Sequence, residues 1–306
     1  MTTAIVCAYS PVGREALEGL IEAGIEVLML YTYPQASDEE WFEPPATFAK
    51  SQGIPVRMEP DFNADSVFLA IQNAKPDLLL SFYFREMIKA RVLEIPRIGA
   101  FNLHGSLLPR YRGRAPINWV LVKGETETGI TLHAMTPKPD DGDILAQVRI
   151  PIDWDETALS LTMKAASAGR KLVRESLPGI VAGTTPRLSQ RDLCPSTYFG
   201  GRKPTDSRLH FEMKVEEAFN QIRAVADPWP NAFLQTATEE VHIAWALPSL
   251  ETCPQGSFRI TQTGVILGFA DGSLRLTELR KNSRRSTRPT EQADWLRALD
   301  IPEVQF

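Results

Sequence analysis

Ala100-Phe-Asn-Leu-His-Gly-Ser-Leu-Leu-Pro-Arg-Tyr-Arg-Gly-Arg-Ala-Pro-Ile-Asn-Trp119 joins an apolar segment to a polar, basic loop. The apolar segment ends in Asn102 and His104. Residues two apart in a strand project from one side, so a carboxamide and an imidazole stand together. Gly105 and Ser106 open a loop broken by Pro109, Gly113 and Pro116, which Arg110, Arg112 and Arg114 line with fixed positive charge. A polar pair at the end of a buried strand is where open α/β sheets place their ligands.

Working outward, Ala4–Ala8, Arg14–Ala23 and Glu26–Tyr31 predict a strand–helix–strand unit with parallel strands. Val56 starts an edge strand, Ser66–Asn73 a helix, Leu78–Phe82 a buried strand and Glu86–Leu93 a further helix. Thr128–Met135 and Ile144–Ile150 form a hairpin across the Pro137–Gly142 loop, and Thr157–Leu177 is a long amphipathic helix. This alternation predicts an α/β fold with a Rossmann-like, parallel-sheet domain. Beyond a polar connector, Thr184–Ser207, one helix (Val215–Ala226) and short strands between Ala232 and Leu279 predict a smaller, OB-like C-terminal β-barrel. The 306 residues fit two domains, expected at 1–203 and 204–306.

With 43% apolar and 23% charged residues the chain has the make-up of a folded globular protein. A net charge of −5 argues against a surface built to grip nucleic-acid phosphates and favours a small-molecule partner. Cys7, Cys194 and Cys253 form no C-x-x-C pair, so neither a disulfide framework nor a zinc site is expected. No apolar run approaches the ~18 residues of a membrane span, and no leader-like start is present; the cytoplasm is the expected location. The first strand–helix turn holds only Gly13, short of the glycine pattern of a dinucleotide site, and P-loop, H-E-x-x-H and G-x-S-x-G patterns are absent. The basic run Arg280-Lys-Asn-Ser-Arg-Arg285 reads as a solvated surface loop.

Of the four histidines, His210 and His242 read as structural and His133, in mid-strand, as a packing residue. His104 differs by its place at a strand end beside Asn102. Asp140-Asp141-Gly142 taken alone is a polar turn. If that turn folds back beside His104, one carboxylate fixes the tautomer of the imidazole and raises its pKa by charge attraction.

Phe101–Trp119, Gly124-Glu-Thr-Glu-Thr-Gly-Ile-Thr-Leu-His133 and the Asp140-x-Gly142 loop together resemble the 10-formyltetrahydrofolate-dependent formyltransferases. Ser81-Phe-Tyr-Phe-Arg85, Phe199-Gly-Gly-Arg202 and Arg223-Ala-Val-Ala-Asp-Pro-Trp-Pro230 are similar to one branch, the formyltransferase half of bifunctional polymyxin resistance proteins, which formylates UDP-4-amino-4-deoxy-L-arabinose in lipid A modification. The resemblance spans essentially the whole chain. It implies that an amino-sugar nucleotide attacks the formyl carbon of 10-formyltetrahydrofolate, without a metal. Asn102 would donate to the developing oxyanion, His104 would manage protons and Asp140 would orient His104.

Formyl-folate contacts carry over to Glu86, Met87 and Ile88, to Arg114, and to Thr136, Pro137, Lys138, Pro139 and Asp140. Arg112 and Arg202 become candidates for the nucleotide phosphates. Ser10-Pro11 and Tyr31-Thr-Tyr33 depart from the branch, which usually has a His-Asp pair and a His-ending segment there. Bifunctional members continue into a dinucleotide-binding decarboxylase half, so the chain is expected to be either a stand-alone enzyme or one domain of such a protein. The rivals are methionyl-tRNA formylation, a non-catalytic folate binder and a formyl-folate hydrolase. The first calls for a more basic C-terminal domain and a basic insertion after the second strand, whereas Ser37–Glu43 is acidic.

Overall fold

Central strands of the first sheet are continuous apolar runs, because a parallel strand is covered on both faces. The computed structural model describes residues 1–37 and 39–305, so Asp38, inside the acidic Ser37–Glu43 stretch, lies outside the described residues. The elements of this part are β1 (Thr3–Ala8), α1 (Ser10–Glu22), β2 (Glu26–Tyr31), α2 (Pro45–Ser51), β3 (Val56–Arg57), α3 (Asp65–Ala74), β4 (Leu78–Phe82), α4 (Ala90–Leu93) and β5 (Gly99–His104). They continue with β6 (Arg112–Gly113), α5 (Pro116–Val122), β7 (Glu127–Ala134), β8 (Ile144–Pro151), α6 (Ala158–Val181) and β9 (Tyr198–Phe199).

The seven-stranded sheet runs β3-β2-β1-β4-β5-β7-β8. Its first five strands are parallel, and β7 and β8 complete it as an antiparallel edge. Strand order reverses between β1 and β4, so the switch point of this doubly wound sheet opens at their carboxyl ends. Gly13 lets α1 start close to that opening, since a Cβ there would sit 2.9 Å from the Phe82 carbonyl oxygen. Beneath lies an apolar cluster that includes Ile5, Tyr31, Phe62, Leu79 and Ile88.

Three elements differ from expectation. The helix expected over Glu86–Leu93 shortens to α4, because the Asn63 side chain donates to the Met87 carbonyl (2.9 Å) and accepts from the Lys89 N–H (2.9 Å), holding 87–89 extended. α5 begins at Pro116, expected as a breaker, and a helix that was not expected begins at Pro289; both prolines occupy first-turn positions where the missing N–H costs nothing.

The second part contains α7 (Val215–Ala224), β10 (Ala232–Gln235), β11 (Glu240–Ser249), β12 (Phe258–Thr261), β13 (Gly264–Gly268), β14 (Ser273–Lys281), β15 (Arg284–Ser286) and α8 (Pro289–Arg297). Its antiparallel sheet runs β10-β11-β14-β13-β12, with β15 on β14, around a core that includes Phe219, Ile222, Phe258, Leu267 and Leu296. Contacts group the chain into two compact units: Met1–Pro116, Glu127–Ile152 and Ser160–Gly200 in one; Ile117–Thr126, Asp153–Leu159 and Gly201–Phe306 in the other. Among the described residues no helix is long and apolar enough to cross a membrane.

Candidate active site

Strand register aligns Ser81 of β4 with Asn102 of β5, and Asn102 with His133 of β7. The Asn102 Nδ2 lies 3.0 Å from His133 Nε2, and His133 Nδ1 lies 2.9 Å from the Ala134 carbonyl oxygen. A proton on Nδ1, donated to that carbonyl, leaves Nε2 to accept from Asn102. One Nδ2 hydrogen is thereby committed and the amide orientation fixed, while the other hydrogen remains for a ligand. His133 is 1% exposed, as a packing residue would be, yet it orients Asn102. Its partner is set by pairing between β5 and β7, which spacing within one strand does not reveal.

His104 is 6% exposed. Its Nε2 lies 2.8 Å from the Tyr111 carbonyl oxygen, an arrangement that needs a proton on Nε2, and its Nδ1 lies 3.5 Å from Asp140 Oδ1. The turn after β7 thus does fold back beside the imidazole. Its electrostatic effect differs from expectation: burial pushes the His104 pKa below the usual value, and the opposing pull of Asp140 and of the Tyr111 carbonyl does not overcome it. His104 is therefore a neutral base at neutral pH, with its lone pair on Nδ1.

Burial pushes the Asp140 carboxyl up, but His104, His133 and the Gly113 N–H outweigh it and bring the pKa down to about 2. The Gly113 N–H donates to Asp140 Oδ2 at 2.8 Å, and Oδ1 stands 3.6 Å from His133 Nε2. Asp140 has a φ of +51°, a left-handed conformation that non-glycine residues adopt at a cost.

The turn is held from outside by Gln190, whose Nε2 donates to the carbonyls of Asp140 (2.9 Å) and Gly142 (2.7 Å). The Oε1 of Gln190 in turn accepts from Arg112 Nε (3.2 Å) and Nη2 (2.7 Å), and Arg112 Nη1 pairs with Asp141. This corrects the expectation that Arg112 faces phosphates: it is 8% exposed and its donors are spent on the turn. Gln190 was not marked by the sequence, where it sits in a polar connector without a motif.

The remaining predicted positions fall into separate groups. Glu86 accepts from the Phe62 N–H (3.2 Å), Met87 is exposed, and Ile88 is buried in the cluster that Met135 also packs against. Ile88 can therefore offer a ligand only its backbone. Thr136 donates to the Lys138 carbonyl (2.9 Å), Lys138 pairs with Asp141 (3.2 Å), and the half-buried Pro139 leads into Asp140. Thr136, Pro137 and Lys138 share with Arg187 and Ser189 the wall of a cavity of about 630 Å³. Arg114 is exposed, and its backbone N–H donates to the Phe199 carbonyl (2.9 Å).

In the second unit, the Arg202 guanidinium lies 5.0 Å over the Trp119 ring and donates to the Asp206 carbonyl (2.9 Å), while its buried Nε has no partner. Burial lowers its pKa. His242 is held between the Pro230 carbonyl (2.8 Å) and Glu240 (2.7 Å), as a structural histidine. In the run after Leu279, Arg280 and Arg285 face Asp227, Lys281 faces Glu239 and Arg284 faces Glu291.

An oriented amide donor beside a neutral imidazole, backed by an ionised carboxylate, suits addition of an amine to a carbonyl carbon. The formyl transferase family model matches residues 23–177 and the formyl transferase C-terminal domain model residues 202–297. Similar solved structures include an N-formyltransferase from Helicobacter canadensis in complex with folinic acid and dTDP-3-aminofucose (19% identity, 92% of this chain and 99% of that one, TM-score 0.68). HypX from Aquifex aeolicus in complex with tetrahydrofolic acid matches at 17% identity over 99% of this chain and 48% of that one, TM-score 0.65. Methionyl-tRNA formyltransferase from Clostridium thermocellum matches at 16% identity over 81% and 94%, TM-score 0.57. At such identities the likeness is one of fold, but the family models together cover most of the sequence. The chain belongs to the formyl transferase family.

Proposed function

We propose that the chain formylates the amine of a sugar nucleotide, with 10-formyltetrahydrofolate as donor and UDP-4-amino-4-deoxy-L-arabinose as acceptor. The observation that carries this is the convergence of Asn102, His104 and Asp140 at the end of β5. The Helicobacter canadensis relative, solved with folinic acid and an amino-sugar nucleotide, supports both substrate classes. Charge pairing along Arg280–Arg285 supports a small acceptor over tRNA, since a nucleic-acid surface keeps its cations free.

The donor fits the residues present: the cavity beside Thr136–Lys138 is of ligand size, and the extended 87–89 backbone and the 136–140 turn offer peptide groups to a pterin edge. When bound, the folate supplies a formyl group on N10. The free Nδ2 hydrogen of Asn102 meets the oxygen on which charge develops as the amine adds. His104 Nδ1 takes the amine proton. Asp140, 3.5 Å away, stabilises the resulting imidazolium, which returns the proton to the departing nitrogen. His133 holds Asn102 and Gln190 holds Asp140, so little reorganisation is needed.

The test is formyl transfer from 10-formyltetrahydrofolate to a panel of amino-sugar nucleotides, with initiator methionyl-tRNA and water as separate acceptors. Turnover on UDP-4-amino-4-deoxy-L-arabinose is expected, abolished in His104→Ala and reduced about 100- to 1000-fold in kcat by Asn102→Ala. Activity on tRNA or water alone overturns the acceptor assignment.

A further inference from the structure

His104 faces an acceptor on each ring nitrogen, the Tyr111 carbonyl 2.8 Å from Nε2 and Asp140 Oδ1 3.5 Å from Nδ1. A neutral imidazole carries one proton, so the two acceptors compete for it, and at equal distance the carboxylate is the stronger. Were Asp140 to win, the proton would sit on Nδ1 and the lone pair would turn toward Tyr111, where no amine proton can reach it. The tautomer with a basic Nδ1 therefore depends on the Tyr111 carbonyl being held at the shorter distance.

Local preference does not hold it there. Tyr111 has a φ of +57°, a left-handed conformation that a β-carbon-bearing residue keeps only where its surroundings over-determine it. The constraint comes from the connector around β9. Thr197, just before that strand, accepts the Tyr111 N–H on Oγ1 (2.8 Å) and the Arg112 N–H on its carbonyl (2.9 Å), and the Tyr111 ring stacks on Phe199 with centroids 5.0 Å apart. From the inner side the buried Ser106 hydroxyl donates to the Arg110 carbonyl (2.7 Å) and lies 3.3 Å from the Tyr111 carbonyl oxygen. β6 and β9 pair in parallel, Arg112 with Tyr198 and Gly113 with Phe199, so closely that a Cβ on Gly113 would lie 2.1 Å from the Phe199 carbonyl oxygen. Gly113 is also the residue whose N–H steadies Asp140 Oδ2 (2.8 Å). Three consecutive residues, 111–113, thus set the partners of both ring nitrogens, and β9 holds all three.

We propose that the pairing of β9 with β6 fixes the tautomer of His104, and that Thr197, 86 residues from Tyr111 and itself exposed, is a positioning residue for the base. Thr197 acts through the Tyr111 peptide: its Oγ1 anchors the N–H of the residue whose carbonyl takes the His104 proton. The catalytic consequence rests on the reading of His104 as the group that accepts the amine proton; the tautomer itself does not.

The experiment makes Thr197→Val and Thr197→Ser in the full chain and reads Tm, kcat and KM for each substrate, and the ring-nitrogen NMR signals of histidine labelled with nitrogen-15, with His104→Ala identifying the His104 pair. At about pH 8 the parent shows a protonated Nε2 and an unprotonated Nδ1 on His104. Thr197→Val, an exposed substitution, leaves Tm within about 2 °C, but the His104 signals move toward a mixture of tautomers. Its kcat falls about three- to tenfold while both KM values hold, and Thr197→Ser, which keeps the acceptor oxygen, restores parental signals and most of kcat. A parent protonated on Nδ1, or His104 signals unchanged in Thr197→Val, overturns the proposal. So does a fall in Tm with a rise in both KM values and no tautomer change, the outcome of a merely structural role. A parent that formylates no acceptor overturns the functional reading alone, and the ring signals then decide the positioning role by themselves.

Discussion

In the proposed transfer, His104 and Asp140 divide one task between opposed electrostatic effects. Burial keeps the imidazole neutral so that it can accept a proton, and the carboxylate makes the protonated state bearable once it forms. The sign of a pH effect follows. The rate falls on the acid side as His104 takes a proton, and Asp140 at present holds that pKa up against burial. Asp140→Asn removes the upward pull, so the acid limb of kcat/KM moves to lower pH. The plateau drops about 100- to 10,000-fold, the range of a lost acid–base contribution, because the imidazolium formed during transfer loses its counter-charge. Rate profiles measured across pH 5–9 check both effects; an acid limb that moves upward would mean that Asp140 does not act on His104 through its charge.

At the scale of elements, the site depends on a turn braced by groups far away in sequence. Gln190 binds two carbonyls of the β7–β8 turn and neutral-caps Arg112, so Gln190→Leu releases the turn and leaves a buried guanidinium short of acceptors. The expected cost is about 2–3 kcal/mol in unfolding free energy. A raised KM for 10-formyltetrahydrofolate should accompany it, since residues 136–140 lose their support; chemical denaturation and steady-state kinetics measure the two separately. This element shows what was and was not legible in the sequence. Apolar runs located β1, β2, β4 and β5 and the β7–β8 hairpin, and the Asn102-x-His104 spacing marked the strand end on which the candidate site is built, because period and strand-end polarity are local signals. His133, Gln190 and the bracing role of Arg112 depend on which strands and loops meet, as does the Asn63 clamp that shortens α4. Local patterns carry no information about such partners. Pro116 was misleading for another reason: proline both ends helices and starts them.

At the scale of the whole chain, the second unit is not a contiguous stretch. Asp153–Leu159 and Ile117–Thr126 pack with Gly201–Phe306, and they supply contacts the later residues cannot replace. Asn118 Nδ2 donates to the Ala224 carbonyl (2.7 Å), Trp154 stacks on Phe219 at 6.0 Å, and Trp119 lies under Arg202. Arg223, 4% exposed, donates to the carbonyls of Asp153 and Glu156 (3.4 Å each). Residues 204–306 expressed alone would lack all of these. Losing several hydrogen bonds and an aromatic contact removes about 3–5 kcal/mol, against a total of roughly 5–15 kcal/mol for a domain. The fragment is therefore expected to keep far-UV circular dichroism but to melt well below the intact chain, with weakened near-UV signal from its tryptophans. Adding back 117–126 and 153–159 through a designed linker should restore the native melt. A fragment 204–306 that melts like the intact protein would show that α7 and the antiparallel sheet are self-sufficient, and that the two inserted segments are passengers on a core complete without them.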